Sequence, residues 1–501
     1  MESIGIDLGS QGIKLTLLNN IGNIIAEEYI SYNIRNPYPY WAEQDPNDWE
    51  YAIVNGLKRI ISRSSEPDNI VAVGIDAQVD GVVAIDKQGK PLYNAIIWMD
   101  RRAKTEEKII ASRIDSNTLF TITGCNIDAS HVLPKVLWLR SNIAAIKKTY
   151  KFLLPASYVL YFLTGKFGID YSNASSTLLF DIRKKIWSTD LLKSFKIDES
   201  LLPKIFESTS LVGQIKKEIA DLIGLRKNRP LVTVGCGDEH AAALGAGVIE
   251  EGTLFDITGT AEGIGASSSY PILDESKLIE THMHVSPNHW FLENPGYVSG
   301  GNLRWFKDTL CTTNGISDSY DDLIAKAERV KPGSDGIIFL PSLMGAMVPE
   351  WNSHAKGNLF GFTLNCTRSH ITRAILEGTA YGIRDVFERF YEMGINFNSV
   401  RVAGGGSKSK LWNQIKAEVL NLRVETLSTP ETTSVGAAIL GAVAGGVFNN
   451  FKEALEKVVH IQEVFIPKGN KELYDDMYKK YRELYFSLKP VFRSEYVNNN
   501  E

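Results

Sequence analysis

The chain has 501 residues, 44% of them hydrophobic and 23% charged, with a formal net charge of −5. That length exceeds what one hydrophobic core organises, so two large domains are expected. The charge balance gives no basic footprint for nucleic acid or an anionic membrane, and no apolar run reaches the ~20 residues of a membrane helix.

Four cysteines (Cys125, Cys236, Cys311, Cys366) lack CxxC spacing, which speaks against a zinc site or a disulfide scaffold. The N-terminus opens directly on a strand without a leader-like pattern, so a cytoplasmic protein is expected. Strands are read over 4–8, 13–19 and 24–32, with a glycine turn over 9–12 between the first two. After a Pro/Tyr/Trp-rich loop at 36–43, Asp45 and Pro46 suit the N-cap and first position of a helix to about residue 61. Further strands are predicted at 70–77, 82–86 and 96–98. Residues 100–220 read as mixed helix and loop with one long insertion-like helical region, elaborating the first domain beside a substrate cleft.

A strand at 231–234 leads into the stretch GCGDEHAAALGAG, where Asp238 lies in a glycine-rich turn before a small-residue helix over 241–248. A strand at 253–257 then runs into the turn Thr258-Gly259-Thr260, and the strand–turn–strand pattern continues to 268. A strand pair is read over 281–297, helices at 302–310 and 321–330, a strand at 337–340 and a long helix at 369–393. A strand at 400–403 breaks into Gly404-Gly405-Gly406-Ser407, and another helix begins near Ser409. Ala374, Gly378 and Gly382 recur every fourth residue, as do Ala437, Gly441 and Gly445, giving bare helix faces that another backbone can approach. Residues 471–488 are helical and charged, and the tail EYVNNNE reads as disordered. The recurring hairpin with a glycine turn implies two similar α/β domains across a cleft.

The chemistry lies in the turns. Asp238 offers a carboxylate on bare backbone, and the Thr258–Gly259–Thr260 turn offers hydroxyls and N–H groups of the kind phosphate needs. A proton acceptor near a phosphate cradle points to phosphoryl transfer onto a hydroxyl, although each turn taken alone reads equally as an ordinary strand-to-helix connection. Asp7, just before Gly9-Ser10-Gln11-Gly12, could hold Mg²⁺ through water; a solvated hairpin aspartate is the plainer reading. Lys14 is read as solvated. No GxxxxGK[ST] run exists, so a P-loop is excluded. The histidines of HMHV alternate like strand residues with no carboxylate or cysteine at a supporting spacing, so no metal site is expected there.

Taken together, these segments resemble the FGGY family of carbohydrate kinases within the actin-like ATPase superfamily. IGIDLGSQGIKL is similar to its first phosphate loop, WAEQDPNDW and AIIWMDRRA to its N-terminal landmarks, and GCGDEHAAALGAG to its catalytic-aspartate segment. DITGTAEG resembles the second phosphate loop, VAGGGSKSKLWNQIKAEVL the adenosine segment, and residues 341–385 the C-terminal signature. The resemblance implies two actin-like (ribonuclease H-like) α/β domains of mixed sheet flanked by helices, facing each other across a cleft. They would span 1–248 and 249–450, followed by a helical extension over 451–501. It also implies ATP and Mg²⁺ as cofactors and Asp238 as the base that takes the proton from the sugar. An ordinary aspartate, with a pKa near ~3.9, is a weak base; it suffices for a loose transition state, and closure of the cleft would raise it.

By the same resemblance Thr258, Gly259 and Thr260 meet the transferring phosphate. Gly9, Ser10, Gln11, Gly301, Gly405, Gly406 and Ser409 serve the nucleotide, and Asp7 stands close to the metal. Gln78, Val79, Asp80, Trp98, Glu239 and His240 form the sugar pocket, with a structural role for His240 also open. The chain departs from xylulokinases, which carry Met-His at Val79-Asp80, and from glycerol kinases, which carry Arg-Glu; erythritol-type kinases have a similar QxDG run. A carboxylate there would repel sugar acids, so a neutral ketose or polyol is the expected substrate, with a glycerol/erythritol-type polyol as the alternative. The partner is then a small molecule, not nucleic acid or membrane, and a homodimer is left open. A different class of reading is an actin-like nucleotide switch, and a third is a catalytically dead sugar sensor.

Overall fold

The computed structural model describes residues 1–296, 298–313 and 316–492; Tyr297, at the end of one predicted strand pair, and the tail at 495–501 lie outside them. The first lobe is built on β1 (Glu2–Leu8), β2 (Gly12–Asn19), β3 (Ile24–Ser31), β4 (Ile70–Ala77), β5 (Leu211–Gln214), β6 (Leu231–Thr233) and β7 (Cys236–Gly237). Their order is β5-β6-β4-β1-β2-β3, with β7 also on β4. β1 to β3 form an antiparallel meander, whereas β1, β4 and β6 run parallel. Alternation on β1 buries Ile4, Ile6 and Leu8. Helix α1 (Pro46–Ile61) lays Trp49, Ile53, Leu57 and Ile60 onto that core, and Asp45 caps it by accepting the Asn47 N–H.

The second lobe repeats the plan. β8 (Gly252–Thr258), β9 (Glu262–Ser268), β10 (Glu280–Met283), β11 (Trp290–Asn294), β12 (Phe397–Ala403), β13 (Arg423–Leu427) and β14 (Ile461–Phe465) are ordered β10-β11-β9-β8-β12-β13-β14. β8, β9 and β11 are antiparallel, and β8, β12 and β13 are parallel. Residues 100–220 mix helices with loops and short strands. Among the described residues they form short segments around a separate core that includes Leu133, Val136, Phe180 and Leu191, and the longest helix there has 11 residues.

Both small-residue stripes mark backbone contacts. A Cβ on Gly378 would lie 2.3 Å from the Phe339 carbonyl oxygen. The helix Thr432–Ala444 crosses the first lobe's sheet, where a Cβ on Gly441 would lie 2.6 Å from the Gly74 nitrogen and one on Gly5 2.2 Å from the Ser434 carbonyl. Ser3 Oγ donates to the Ala438 carbonyl and Thr16 Oγ1 to Ser434 Oγ, which satisfies polar groups sealed in that contact. The same helix crosses the helix Asp238–Gly245 at Gly436 and Gly245, where a Cβ on either would lie 1.9 Å from a carbonyl oxygen of the other helix. The helices are thus fixed to each other and to the sheet that carries the acidic residues.

Candidate active site

The first glycine turn is closed by the Gly9 N–H donating to the Gly12 carbonyl at 3.0 Å. Gln78, one residue beyond β4, supports it from below: its amide donates to Gln44 Oε1 at 2.7 Å and to the Gly9 carbonyl at 3.4 Å. Gln44 in turn donates to the Ser10 carbonyl at 2.6 Å. Gln78 is fully buried, so the expectation that it reads substrate hydroxyls gives way to a supporting role; its polar atoms are spent on the loop. Trp98 is exposed at the rim, its indole N–H donating to Ser10 Oγ at 2.8 Å. The two tryptophan motifs interlock beside it. Arg102 pairs with Asp100 and Glu43 at 2.7 Å each and stacks on Trp41 with 3.6 Å to the ring centroid.

Three carboxylates meet at the ends of adjacent strands. Asp7 on β1 is in register with Asp76 on β4, which is in register with Cys236 on β7, two residues before Asp238. Asp238 is the first residue of its helix, which therefore starts three positions earlier than predicted, with Gly237 as cap. A Cβ at Gly237 would lie 2.6 Å from Val79 Cγ1, so glycine lets Val79 pack against this helix start. Asp238 stays partly accessible, and its Oδ1 accepts the Glu239 N–H at 3.1 Å. Burial raises its pKa well above the ordinary carboxylate range, and the charges of Glu239 and Asp7 push it the same way. Burial likewise raises Asp7 to about 6. Asp76 is sequence-silent, because its meaning depends on strand pairing. It is fully buried and held well above its ordinary range by desolvation and by Asp7 and Asp238.

Beside these groups, Asp80 sits in left-handed backbone (φ 59°), its carbonyl accepting from the buried Lys135 at 2.6 Å. Its Oδ2 lies 3.2 Å from His131 Nδ1, while Oδ1 has no partner among the described residues. Burial alone would lower the His131 pKa, but Asp80 and then Glu280 hold it well above the ordinary value. Glu239 is partly accessible and reaches toward the second lobe, where a Cβ on Gly263 would lie 3.9 Å from its Oε1. It faces Glu293, whose carboxyl is driven well up by burial and by Glu239, and burial raises Glu239 as well.

His240 does not join this pocket. It is buried against Phe291 and the rings of His282 and His284, and burial with those histidines drives its pKa well down; it is a neutral core residue. His284 bonds the Val248 carbonyl, as an ordinary strand histidine would. His282 does meet ligand-type groups that sequence spacing hides: its ligand atom and those of Glu280 and Cys125 lie within 4.8 Å of one another. Burial keeps the Cys125 thiol protonated, which makes it a poor metal ligand.

On the opposite side the second glycine turn leaves Gly259 and Thr260 exposed, with the Gly259 N–H bonded to the Ala261 carbonyl at 2.9 Å. Thr258 is turned inward, contrary to the expectation that its hydroxyl meets phosphate. Its Oγ1 donates to Glu262 Oε1 at 3.0 Å and accepts from Lys416 Nζ at 2.5 Å. Lys416 also pairs with Asp256 at 2.6 Å and Glu262 at 2.9 Å, all of them buried. The Gly301 N–H is likewise used within the lobe, on the Thr260 carbonyl at 3.1 Å. The third glycine turn rests on the second, since a Cβ at Gly406 would lie 2.4 Å from Thr258 Cγ2, whereas Gly405 faces open space. Ser409 caps the helix Lys410–Leu420, accepting the Trp412 N–H. An ion pair between Lys14 and Glu431 brings the first turn beside this region.

Two sheets on one plan, with acids at one lobe's strand ends and glycine turns at the other's, define a two-lobed, actin-like phosphotransferase. Comparison with known proteins narrows the class. Residues 3–245 match the N-terminal domain and residues 255–445 the C-terminal domain of the FGGY family of carbohydrate kinases, and the chain belongs to that family. It is 30% identical to a xylulose kinase of Staphylococcus epidermidis over 496 residues, covering 97% of each chain. It is also 30% identical to a glycerol kinase of Thermococcus onnurineus, covering 96% of each. The solved structure of a xylulose kinase from Rhodospirillum rubrum superposes with a TM-score of 0.91 at 26% identity, covering 98% of this chain and all of that one. The protein is therefore a sugar kinase that uses ATP, and the nucleotide-switch and dead-sensor readings fall away. No described helix is long and apolar enough to cross a membrane.

Proposed function

We propose that this kinase transfers the γ-phosphoryl group of ATP to a hydroxyl of a neutral ketose or polyol, with Asp238 as the base. The observation that carries this reading is Asp238 itself: partly open at a helix start, next to Asp7, with a pKa raised by burial and by neighbouring charge. A carboxyl poised above its ordinary range accepts a proton far better than an unperturbed one. The half-buried Asp7 is a hard oxygen donor of the kind that suits Mg²⁺. When bound, that ion would neutralise charge on the phosphates. Gly259, Thr260 and Gly405 are the open positions available to the nucleotide.

The acceptor side is acidic at Asp80 and Glu239, which disfavours sugar acids. The xylulose kinase relatives support a ketose; the free Oδ1 of Asp80, a hydroxyl acceptor, and the glycerol kinase relative support a polyol. Four unpaired cysteines, three of them buried, suit a reducing cytoplasm. Asp238→Asn should lower turnover by ~10²–10⁴-fold, the usual contribution of a positioned base, with ATP affinity kept within a few-fold. Coupled ADP release over pentuloses, hexuloses, tetritols and glycerol reads both the variant and the acceptor. Undiminished turnover in the variant would remove Asp238 from its role.

A further inference from the structure

Asp76 has no part in the reaction as set out above, yet it occupies the most costly position near the site. It is 0% exposed, and the side-chain hydrogen-bond partner it has among the described residues is another carboxyl group, that of Asp7. A buried carboxylate is ordinarily paired, hydrogen-bonded or bound to a metal. Here the parallel register of β1 and β4 sets it beside Asp7 on the same sheet face. The register of β4 and β7 sets it next to the strand that delivers Asp238. Its nearest charged neighbours are thus anions, and an incoming cation would relieve all of them at once. Lys14, in register with Asp7 on β2, eases the charge on Asp7 alone: its ammonium is paired with Glu431, and the charges that act on Asp76 are those of Asp7 and Asp238.

We infer that Asp76 is a second carboxylate of the divalent-cation site, standing behind Asp7 and strengthening the hold on the ion. This rests on the reading of Asp7 as the metal-side residue. Two carboxylates on adjacent strands, with the nucleotide's phosphates completing the shell, match the way Mg²⁺ is usually held. The arrangement also gives a reason for a strand to carry an aspartate where an apolar residue would pack more cheaply.

The test is Mn²⁺ binding to the full-length protein with ADP, followed by the electron paramagnetic resonance signal of free Mn²⁺, in wild type, Asp76→Asn and Asp7→Asn. Melting is recorded in EDTA and with Mn²⁺. Asp76→Asn should bind Mn²⁺ at least tenfold more weakly while binding metal-free ADP as wild type does. It should also melt higher than wild type in EDTA and gain less from Mn²⁺. Asp76→Ser, a smaller neutral replacement, reads the same way should the asparagine fail to fold. Mn²⁺ affinity within twofold of wild type in the Asp76 variants, with loss in Asp7→Asn, overturns this inference alone. Equal affinity in all the proteins overturns it together with the reading of Asp7.

Discussion

Removing Lys416 is the sharpest test of how the second glycine turn is held. Lys416→Met keeps most of the side-chain length but leaves Asp256 and Glu262 buried without a cation, and Thr258 Oγ1 without its donor. Breaking a buried ion pair from one side costs ~3–5 kcal/mol. For a lobe of about 200 residues each kcal/mol shifts melting by ~2–4 °C, so a fall of ~6–20 °C is expected.

The pH dependence follows from the signs. Burial alone would raise the Glu262 pKa, but Lys416 outweighs it and holds it low, so that stabilisation exists above the ordinary carboxylate range and fades as pH falls through the folded value. Burial would lower the Lys416 pKa, but Asp256 and Glu262 raise it, so its share persists up to the ordinary lysine range and is lost above the folded value. Asp256 is pushed up by burial and by Glu262, so it opposes the pair at neutral pH. The gap between wild type and variant should therefore be widest near neutrality and narrow in acid, where the carboxyls take up protons. Differential scanning calorimetry across pH 4–9 measures it, and Lys416→Met/Glu262→Gln should recover part of the loss. A fall of under ~2 °C, well short of that range, or no recovery in the double variant, would refute the account.

Three further outcomes are expected. Glu239→Gln removes the charge that, after burial, does most to raise Asp238. The acidic limb of the kcat/KM profile should move to lower pH, and a limb that stays in place would detach Asp238 from it. Gly74→Ala would place a Cβ 1.9 Å from the Ala437 carbonyl oxygen and 2.6 Å from the Gly441 nitrogen, both in a packed helix. A loss at or beyond the ~1–3 kcal/mol of ordinary overpacking should appear in denaturant unfolding, whereas Gly405→Ala, with nothing within 4 Å, should melt as wild type does. Arg102→Lys keeps the charge but loses the fork onto Asp100 and Glu43 and the stacking on Trp41. It should destabilise the first lobe by ~2 kcal/mol or more, as a broken network of charge-assisted bonds does, and equal stability would show that the stack contributes nothing.

What could be read from the sequence were features set by neighbouring residues. The hairpins came from alternation, α1 from its Asp45-Pro46 start, and the small-residue stripes from a spacing that needs no knowledge of the partner. What could not be read depends on pairs far apart in the chain. Asp76 looks like any strand residue until β4 pairs with β1. Thr258 looks like a phosphate ligand until Lys416, 158 residues on, arrives beneath it. His240 looks like a pocket residue because it follows Asp238 and Glu239, but it is in the helix's first turn and faces the core. The edge strands β5 and β14 are silent for a different reason, since their partly exposed faces leave little apolar signal.

The duplicated hairpin also explains why the two lobes take different tasks. In each, a three-residue turn joins the first two strands, 9–11 in one lobe and 259–261 in the other, which aligns Leu8 with Thr258, Asp7 with Ile257 and Ile6 with Asp256. Side chains alternate along a strand, so these positions fall on opposite faces. In the first lobe the core-facing pair is apolar and fully buried, and the acid is at the half-buried position between them. In the second lobe the pattern is inverted: Asp256 and Thr258 are buried and neutralised around Lys416, and the half-buried position between them is Ile257. One register thus exposes a carboxylate beside Asp238, whereas the other hides its carboxylates beneath a cation and leaves an uncharged turn. An anionic phosphate meets least repulsion at the second turn, and the acids proposed to handle a proton and a cation belong to the first lobe. That division of charge, made by which face of the strand carries the acid, is what phosphoryl transfer across a cleft requires.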